Sequence, residues 1–220
     1  MLKVSSLLTG LWEVEMELVH MMLGPMQVNC YIVWNPEIKK AYVIDPGDCA
    51  GSVFEKLKTL GLSCAAILLT HGHFDHITGV NELKELTGAK VYAGKGEAVL
   101  LADDDLNVSK RVRRPVRVVP DRLIEDGEVI ADFGMAFKTI FTPGHTHGSV
   151  CYYFEKEGIL FSGDTLFKSG MGRTDLPTGS ESELYASIIH RLISLPESTV
   201  CYPGHGEATD IASESKYFRA

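Results

Sequence analysis

Seven side chains able to ligate a metal stand at the ends of short apolar runs: His71, His73, Asp75, His76, His145, Asp164 and His205. Four of them share one heptapeptide, Thr70-His-Gly-His-Phe-Asp-His76, directly after Ala65-Ala-Ile-Leu-Leu69. His145 closes Phe141-Thr-Pro-Gly-His145, Asp164 closes Ile159-Leu-Phe-Ser-Gly-Asp164, and His205 closes Val200-Cys-Tyr-Pro-Gly-His205. A buried strand that stops at Gly or Pro and then presents a His or Asp aims side chains from one sheet edge. Mixed imidazole and carboxylate donors suit zinc, iron or manganese. His71 and His73 can converge on one metal with His145, while Asp75, His76 and His205 serve a second. Asp164, with two acceptor oxygens, can bridge them. The same carboxylates packed together without metal would repel one another. A lone His is usually a surface or core residue, but five histidines and two aspartates at strand ends make a pattern.

The elements that must position these residues are legible as alternating runs. Strand-like segments fall near 13–20, 28–34, 40–45, 65–70, 89–93, 116–119, 135–142, 149–154, 158–163 and 199–202. Helical spacing marks Ser52–Leu60, His76–Thr87, Glu97–Ala102 and Ser182–Ser194. Interleaved strands and helices predict an α/β protein of four layers, two packed sheets with helices outside. Periodicity leaves the strand order open. A chain of 220 residues is expected to form a single domain spanning 1–220. The stretch 94–122, with Asp103-Asp104-Asp105 followed by Arg111, Arg113, Arg114 and Arg117, reads as a solvated excursion. The competing reading is a lid whose arginines meet an anionic substrate.

Composition narrows the function classes. A formal charge of −8 argues against a nucleic-acid partner. Five cysteines without close spacing suggest neither a disulfide framework nor a thiolate zinc site, and free thiols fit the cytoplasm. The segment Met1–Trp12, which turns acidic at Glu13, Glu15 and Glu17, makes a poor signal peptide. No apolar run approaches the roughly 20 residues that span a bilayer, so no membrane partner is expected. Either a monomer or a homodimer is compatible with the chain.

The motifs together resemble the metallo-β-lactamase superfamily. Its Thr-His-x-His-x-Asp-His hallmark is matched by Thr70–His76, and Thr142-Pro-Gly-His145, Gly163-Asp164 and Pro203-Gly-His205 follow in order. Val43-Ile-Asp45-Pro-Gly47 is similar to the family's early strand and turn. The resemblance covers roughly residues 15–210 and implies an αββα sandwich with a dinuclear site at one edge. Gly163-Asp-Thr-Leu-Phe167, Gly172-Arg-Thr-Asp175 and Gly24-Pro-Met-Gln-Val-Asn-Cys-Tyr31 resemble the glyoxalase II-like hydrolases in particular. Those enzymes hydrolyse S-acyl glutathione thioesters, typically S-lactoylglutathione, a small-molecule substrate.

By that resemblance His71, His73 and His145 hold one divalent ion, Asp75, His76 and His205 a second, and Asp164 bridges. Zinc leads, with iron or manganese as alternatives. Two metals lower the pKa of a shared water, supplying a bridging hydroxide that attacks the thioester carbonyl. Asp75 is the candidate catalytic residue that orients the hydroxide. Asp45 is either a partner that orients a ligating His or a turn residue before Pro46-Gly47. Arg173 and Tyr92 are candidate substrate contacts, although an Arg173–Asp175 ion pair is an equal reading. His147 stands where the family usually has Pro, and is read as a loop residue near the metals. His20 and His190 are read as ordinary surface or helix histidines.

A further departure and two rivals qualify the expectation. Longer glyoxalase II enzymes carry a helical C-terminal domain that grips glutathione, whereas about fifteen residues follow His205 here. The nearest rival is a persulfide dioxygenase with a single iron on His71, His145 and Asp164. Hydrolysis of another ester, a lactone or a phosphodiester is a further alternative.

Overall fold

The computed structural model describes residues 2–3 and 16–218. The acidic positions Glu13 and Glu15, and the segment 4–12, lie outside the described residues. Two sheets face one another. The first takes its seven strands in chain order: β1 (Leu2–Lys3), β2 (Glu17–Leu23), β3 (Val28–Trp34), β4 (Lys40–Ile44), β5 (Ser63–Leu69), β6 (Lys90–Gly94) and β7 (Arg122–Ile124). Pairing is antiparallel from β1 to β4 and parallel from β4 to β7. Parallel neighbours require crossovers. They are supplied by α1 (Ala50–Thr59), by α2 (Phe74–Ile77) with α3 (Val80–Thr87), and by the passage through α4 (Ala98–Leu101).

The second sheet contains β8 (Val129–Asp132), β9 (Met135–Phe141), β10 (Val150–Phe154) and β11 (Ile159–Gly163). A short ribbon of β12 (Leu166–Phe167) and β13 (Gly170–Met171) follows, then α5 (Glu181–Ser187) with a π-helical turn at Ile188–Leu192. The chain returns through β14 (Val200–Pro203), β15 (Thr209–Asp210) and α6 (Ile211–Phe218), giving the order β15–β14–β11–β10–β9–β8.

Period-2 alternation sorts the strands into three cores, as a four-layered αββα sandwich requires. Ile32, Val43 and Ile67 of the first sheet pack beneath Val53, Leu57 and Leu83 of α1 and α3. Their neighbours Val33, Tyr42 and Leu68 turn to the other face and meet Phe137, Tyr152 and Phe161 of the second sheet. Cys151, Leu160 and Cys201 face outward onto Leu184, Ile188 and Ile211. Phe161 is fully buried between the sheets, and truncating such a ring to Ala costs about 3–5 kcal/mol. Ser180 caps α5 by accepting from the Glu183 amide, with Glu181 and Glu183 favourable at the positive end of the helix.

Several elements differ from the sequence expectation for local reasons. The expected helix 76–87 is broken at Thr78–Gly79, because the Gly79 amide donates to Pro46 O instead of continuing the ladder. A Cβ at Gly79 would lie 2.6 Å from that oxygen. The run 116–119 is not a strand: Val118 binds Leu101 O, and β7 begins only at Arg122. The short strands β8, β12, β13 and β15 and the helix α6 carry too few alternating positions to stand out in the sequence. No helix among the described residues is long and apolar enough to cross a membrane.

Candidate metal centre

Backbone pairing brings the motif loops to one edge. β11 and β14 run parallel with Gly163 opposite Pro203, so Asp164 and His205 leave the sheet side by side. The Gly204 amide donates to Gly163 O, and a Cβ at Gly204 would stand 2.2 Å from Asp164 Oδ1. Only glycine lets the two loops approach this closely. Across the sandwich, the Val150 amide donates to Thr70 O, joining the start of β10 to the end of β5. Asn29 on β3 holds the His205 loop, its side-chain amide donating to Pro203 O and Gly206 O, both at 2.9 Å.

The seven side chains then fall into two sets that share one carboxylate. His145 Nε2 lies 2.9 Å from His73 Nδ1 and 3.2 Å from His71 Nε2. His205 Nε2 lies 3.3 Å from His76 Nε2 and 3.2 Å from Asp75 Oδ2. Asp164 spans both sets: Oδ1 is 3.4 Å from His76 Nε2, and Oδ2 is 3.6 Å from His145 Nε2 and 3.7 Å from His205 Nε2. The trios His71–His73–His145 and Asp75–His76–His205 each offer ligand atoms within 4.8 Å of one another. The donors fit a cation. Ring nitrogens crowd together, and the buried Asp164 Oδ1 has no hydrogen-bond partner.

The groups behind the ligands orient them. His145 Nδ1 donates to Arg173 O at 2.7 Å, leaving Nε2 as a lone pair on the site. Asp45 accepts from the Thr70 amide at 2.8 Å, from Thr70 Oγ1 at 2.6 Å and from His76 Nδ1 at 2.9 Å. Asp45 is therefore more than a turn residue: it aims His76 Nε2 into the site. Glu97, fully buried, accepts from the Gly72 amide at 2.8 Å and meets Thr146 Oγ1 at 3.0 Å. It braces both loops of the first trio. Nothing in the sequence around Glu97 announced this, since its partners lie 25 and 49 residues away.

Electrostatics divides the two sets. Burial, reinforced by the other imidazoles, pushes His71 well below its ordinary range, and burial takes His73 down to about 3. His145 is lowered too, chiefly by burial. Burial also opposes the charged form of His76, but Asp164, Asp45 and Asp75 outweigh it and hold His76 well above its usual value. His205 is raised against burial by its hydrogen bond to Asp75. Asp75 and Asp164 are lowered against burial, His76 being the principal cause for both. Burial lifts Glu97 to about 7.

The remaining candidates are spread over different surroundings. Arg173 borders the cleft, and its guanidinium makes a two-pronged contact with Asp175 at 2.7 Å. The His147 side chain is exposed and belongs to neither trio. Tyr92 packs on the inter-sheet core beneath Arg122, 5.3 Å from its centroid, and borders none of the cavities beside the trios. His20 is exposed on β2, as expected of a surface residue, and its ring stacks on Tyr31 with Nε2 2.7 Å from Asn29 Oδ1. His190 is exposed on the π-helical turn. The cysteines are free, with Cys30, Cys151 and Cys201 buried.

An αββα sandwich with paired His/Asp trios at one edge defines a divalent-metal protein, and residues 23–205 match the metallo-β-lactamase superfamily. The chain belongs to that superfamily. It is 42% identical over 198 residues to "Probable metallo-hydrolase YqgX" of Bacillus subtilis, covering 88% of this chain and 92% of the relative. It is 33% identical over 193 residues to the hydroxyacylglutathione hydrolase GloC of Haemophilus influenzae, covering 86% and 91%. Among solved structures, the B3 metallo-β-lactamase BLEG-1 superposes with a TM-score of 0.88 at 38% identity, over 93% of this chain and all (100%) of that one. TTHA1623 in a di-iron-bound form gives 0.81 at 36%, over 90% and 97%. ETHE1 from Myxococcus xanthus gives 0.73 at 28%, over 92% and 83%.

Proposed function

We propose that this protein is a hydrolase of small-molecule thioesters that works with two divalent metal ions. The observation that carries this reading is the second trio. Asp75, His76 and His205 converge as closely as the first trio, and Asp164 reaches both. His71, His73 and His145 would hold one ion, Asp75, His76 and His205 the other, with Asp164 shared. Bound divalent ions supply Lewis acidity and a water of lowered pKa; zinc is the leading candidate, and iron or manganese suits the same donors. The relatives named as a metallo-hydrolase and as a hydroxyacylglutathione hydrolase support hydrolysis, and TTHA1623 supports a two-metal site.

The chain's own groups complete the chemistry. Asp75 stands at the cleft with Oδ2 on His205, placed to accept a proton hydrogen bond from an attacking water and to orient it. Asp45 and the Arg173 carbonyl keep the imidazoles of His76 and His145 aimed at the reacting centre. Phe74, Phe167 and Met171 give the cleft an apolar lining beside the metal-ligand candidates. A thiolate leaves readily, so the absence of a dedicated acid among the lining groups is compatible with thioester cleavage.

The test is elemental analysis of purified protein paired with S-lactoylglutathione hydrolysis on the same sample. About two metals per chain with thiol release is the expected result. One rival uses part of the same cluster: a single-iron persulfide dioxygenase on His71, His145 and Asp164, where His145 Nε2 lies 3.2 Å from His71 Nε2 and 3.6 Å from Asp164 Oδ2. One iron per chain, oxygen consumption and no thiol release would replace the hydrolase reading with that one.

A further inference from the structure

The segment read from its sequence as a solvated excursion supplies a wall of the cleft. Val108 and Val112 line the cleft at the trios together with Met26 and Phe74. The wall is fastened to the ligand motif itself, because the Phe74 amide donates to Asn107 O at 3.0 Å. Asn107 is buried and locks its own turn, donating to Val116 O at 2.8 Å and accepting from the Ser109 amide at 2.9 Å. Val108 sits there with φ +69°. A β-branched residue adopts that conformation rarely, and such outliers gather where a side chain must be held in place for function.

A neighbouring cavity of about 190 Å³ shares Met26, Phe74, Asp75 and Val112 with the cleft and is bordered by Leu23 and Pro25. Met26 and Val112 stay 53% and 41% exposed, large apolar surface left open at the mouth of the site. The cations at these rims are already spent: Arg114 pairs with Asp48 at 2.8 Å and Arg173 with Asp175 at 2.7 Å. Apolar walls with neutralised arginines suit a hydrocarbon arm and give an anionic one little to bind.

Resting on the thioester reading, we propose that the cleft lined by Phe74, Val108 and Val112 receives an apolar acyl chain. The protein thereby selects medium-chain acyl thioesters over the short, polar lactoyl group. Recognition comes from the 103–117 segment, whose exposed Arg111 and Arg113 border neither cavity.

The experiment compares S-hexanoylglutathione with S-lactoylglutathione, which share one thiol, on the full chain carrying its metals. The expected result is a kcat/KM about tenfold or more in favour of the hexanoyl ester. Val112→Asp should lower that ratio about tenfold, through KM, with metal content unchanged. Val108→Gly, which removes the apolar side chain while its left-handed backbone suits glycine, should lower it in the same direction with metal content unchanged. Val119→Asp makes the Val112→Asp change at a site 77% exposed and outside both cavities, and should keep the ratio. Equal or better turnover of the lactoyl ester, or a ratio indifferent to Val112→Asp, would overturn the acyl-chain assignment and leave thioester hydrolysis standing. Failure of the metal-loaded protein to cleave either ester would overturn the thioester reading and this assignment with it.

Discussion

The two trios are built from neighbouring loops and similar donors, yet they occupy opposite electrostatic states. His71, His73 and His145 form a nest of imidazoles whose burial keeps them neutral. His76 is as deeply buried as His71, but Asp164, Asp45 and Asp75 raise it well above its usual value, and the hydrogen bond to Asp75 raises His205. Burial therefore does not decide whether a histidine is ready for a metal; the carboxylates around it do. The first trio is preorganised as lone pairs. The second holds its protons more tightly, so a cation binding there competes with them.

Removing the shared group should break the comparison most severely. Asp164→Ala takes a ligand from both trios, so hydrolysis should fall about 10²–10³-fold or more, with metal content dropping toward one ion or none. Retention of two ions and full rate would refute the bridging assignment. Next in size, Asp45→Asn has one acceptor oxygen, which can serve either the Thr70 amide or the Thr70 Oγ1 and His76 Nδ1 pair, and it removes the charge facing His76. Second-trio metal affinity should weaken about 10–100-fold while the first trio keeps its ion, a split that competition with a chromophoric chelator would resolve.

Acid should separate the trios without mutation. Because His76 and His205 are raised and the first-trio histidines lowered, the second ion should leave first as pH falls. Its affinity should change by about tenfold per pH unit for each proton exchanged. Calorimetry in buffers of different ionisation enthalpy would register proton release on binding the second ion and little on the first. Equal release in both steps would erase the distinction.

A smaller effect concerns the brace behind the first trio. Glu97 is raised to about 7 from an ordinary 4.5, so the folded state holds its proton more tightly than the unfolded chain. Its protonated form is favoured in the fold below about pH 4.5, and that favour is lost as pH rises through 7, amounting to about 3 kcal/mol. Thermal melts of Glu97→Gln should therefore show a flatter pH dependence between 5 and 7.5 than the parent. Smallest of all, His190→Ala should leave metal content and rate within about twofold, since surface changes away from a site rarely matter.

Much of this site was readable before any coordinates. The seven ligand candidates are legible because each ends an apolar run, and the two clusters that His71, His73 and His145 and Asp75, His76 and His205 form follow the grouping expected from spacing. Strands such as 28–34 and 135–142 were legible for the same reason, as unbroken apolar or alternating runs. Glu97 and Val108 were not. Glu97 looked like one more charged helix residue, because its hydrogen bonds go to amides distant in sequence. The 103–117 segment looked solvated because its arginines are exposed, while Val108 and Val112 reach the cleft only after Asn107 docks on Phe74. The expected contact from Tyr92 failed because β6 turns that ring toward the second sheet.

The sequence by itself determined which residues can ligate and which strands carry them, since side-chain chemistry and local periodicity are properties of short segments. Only the tertiary structure decided their electrostatic state and the character of the cleft. Both depend on what stands within a few ångströms, and those neighbours come from loops scattered across the chain.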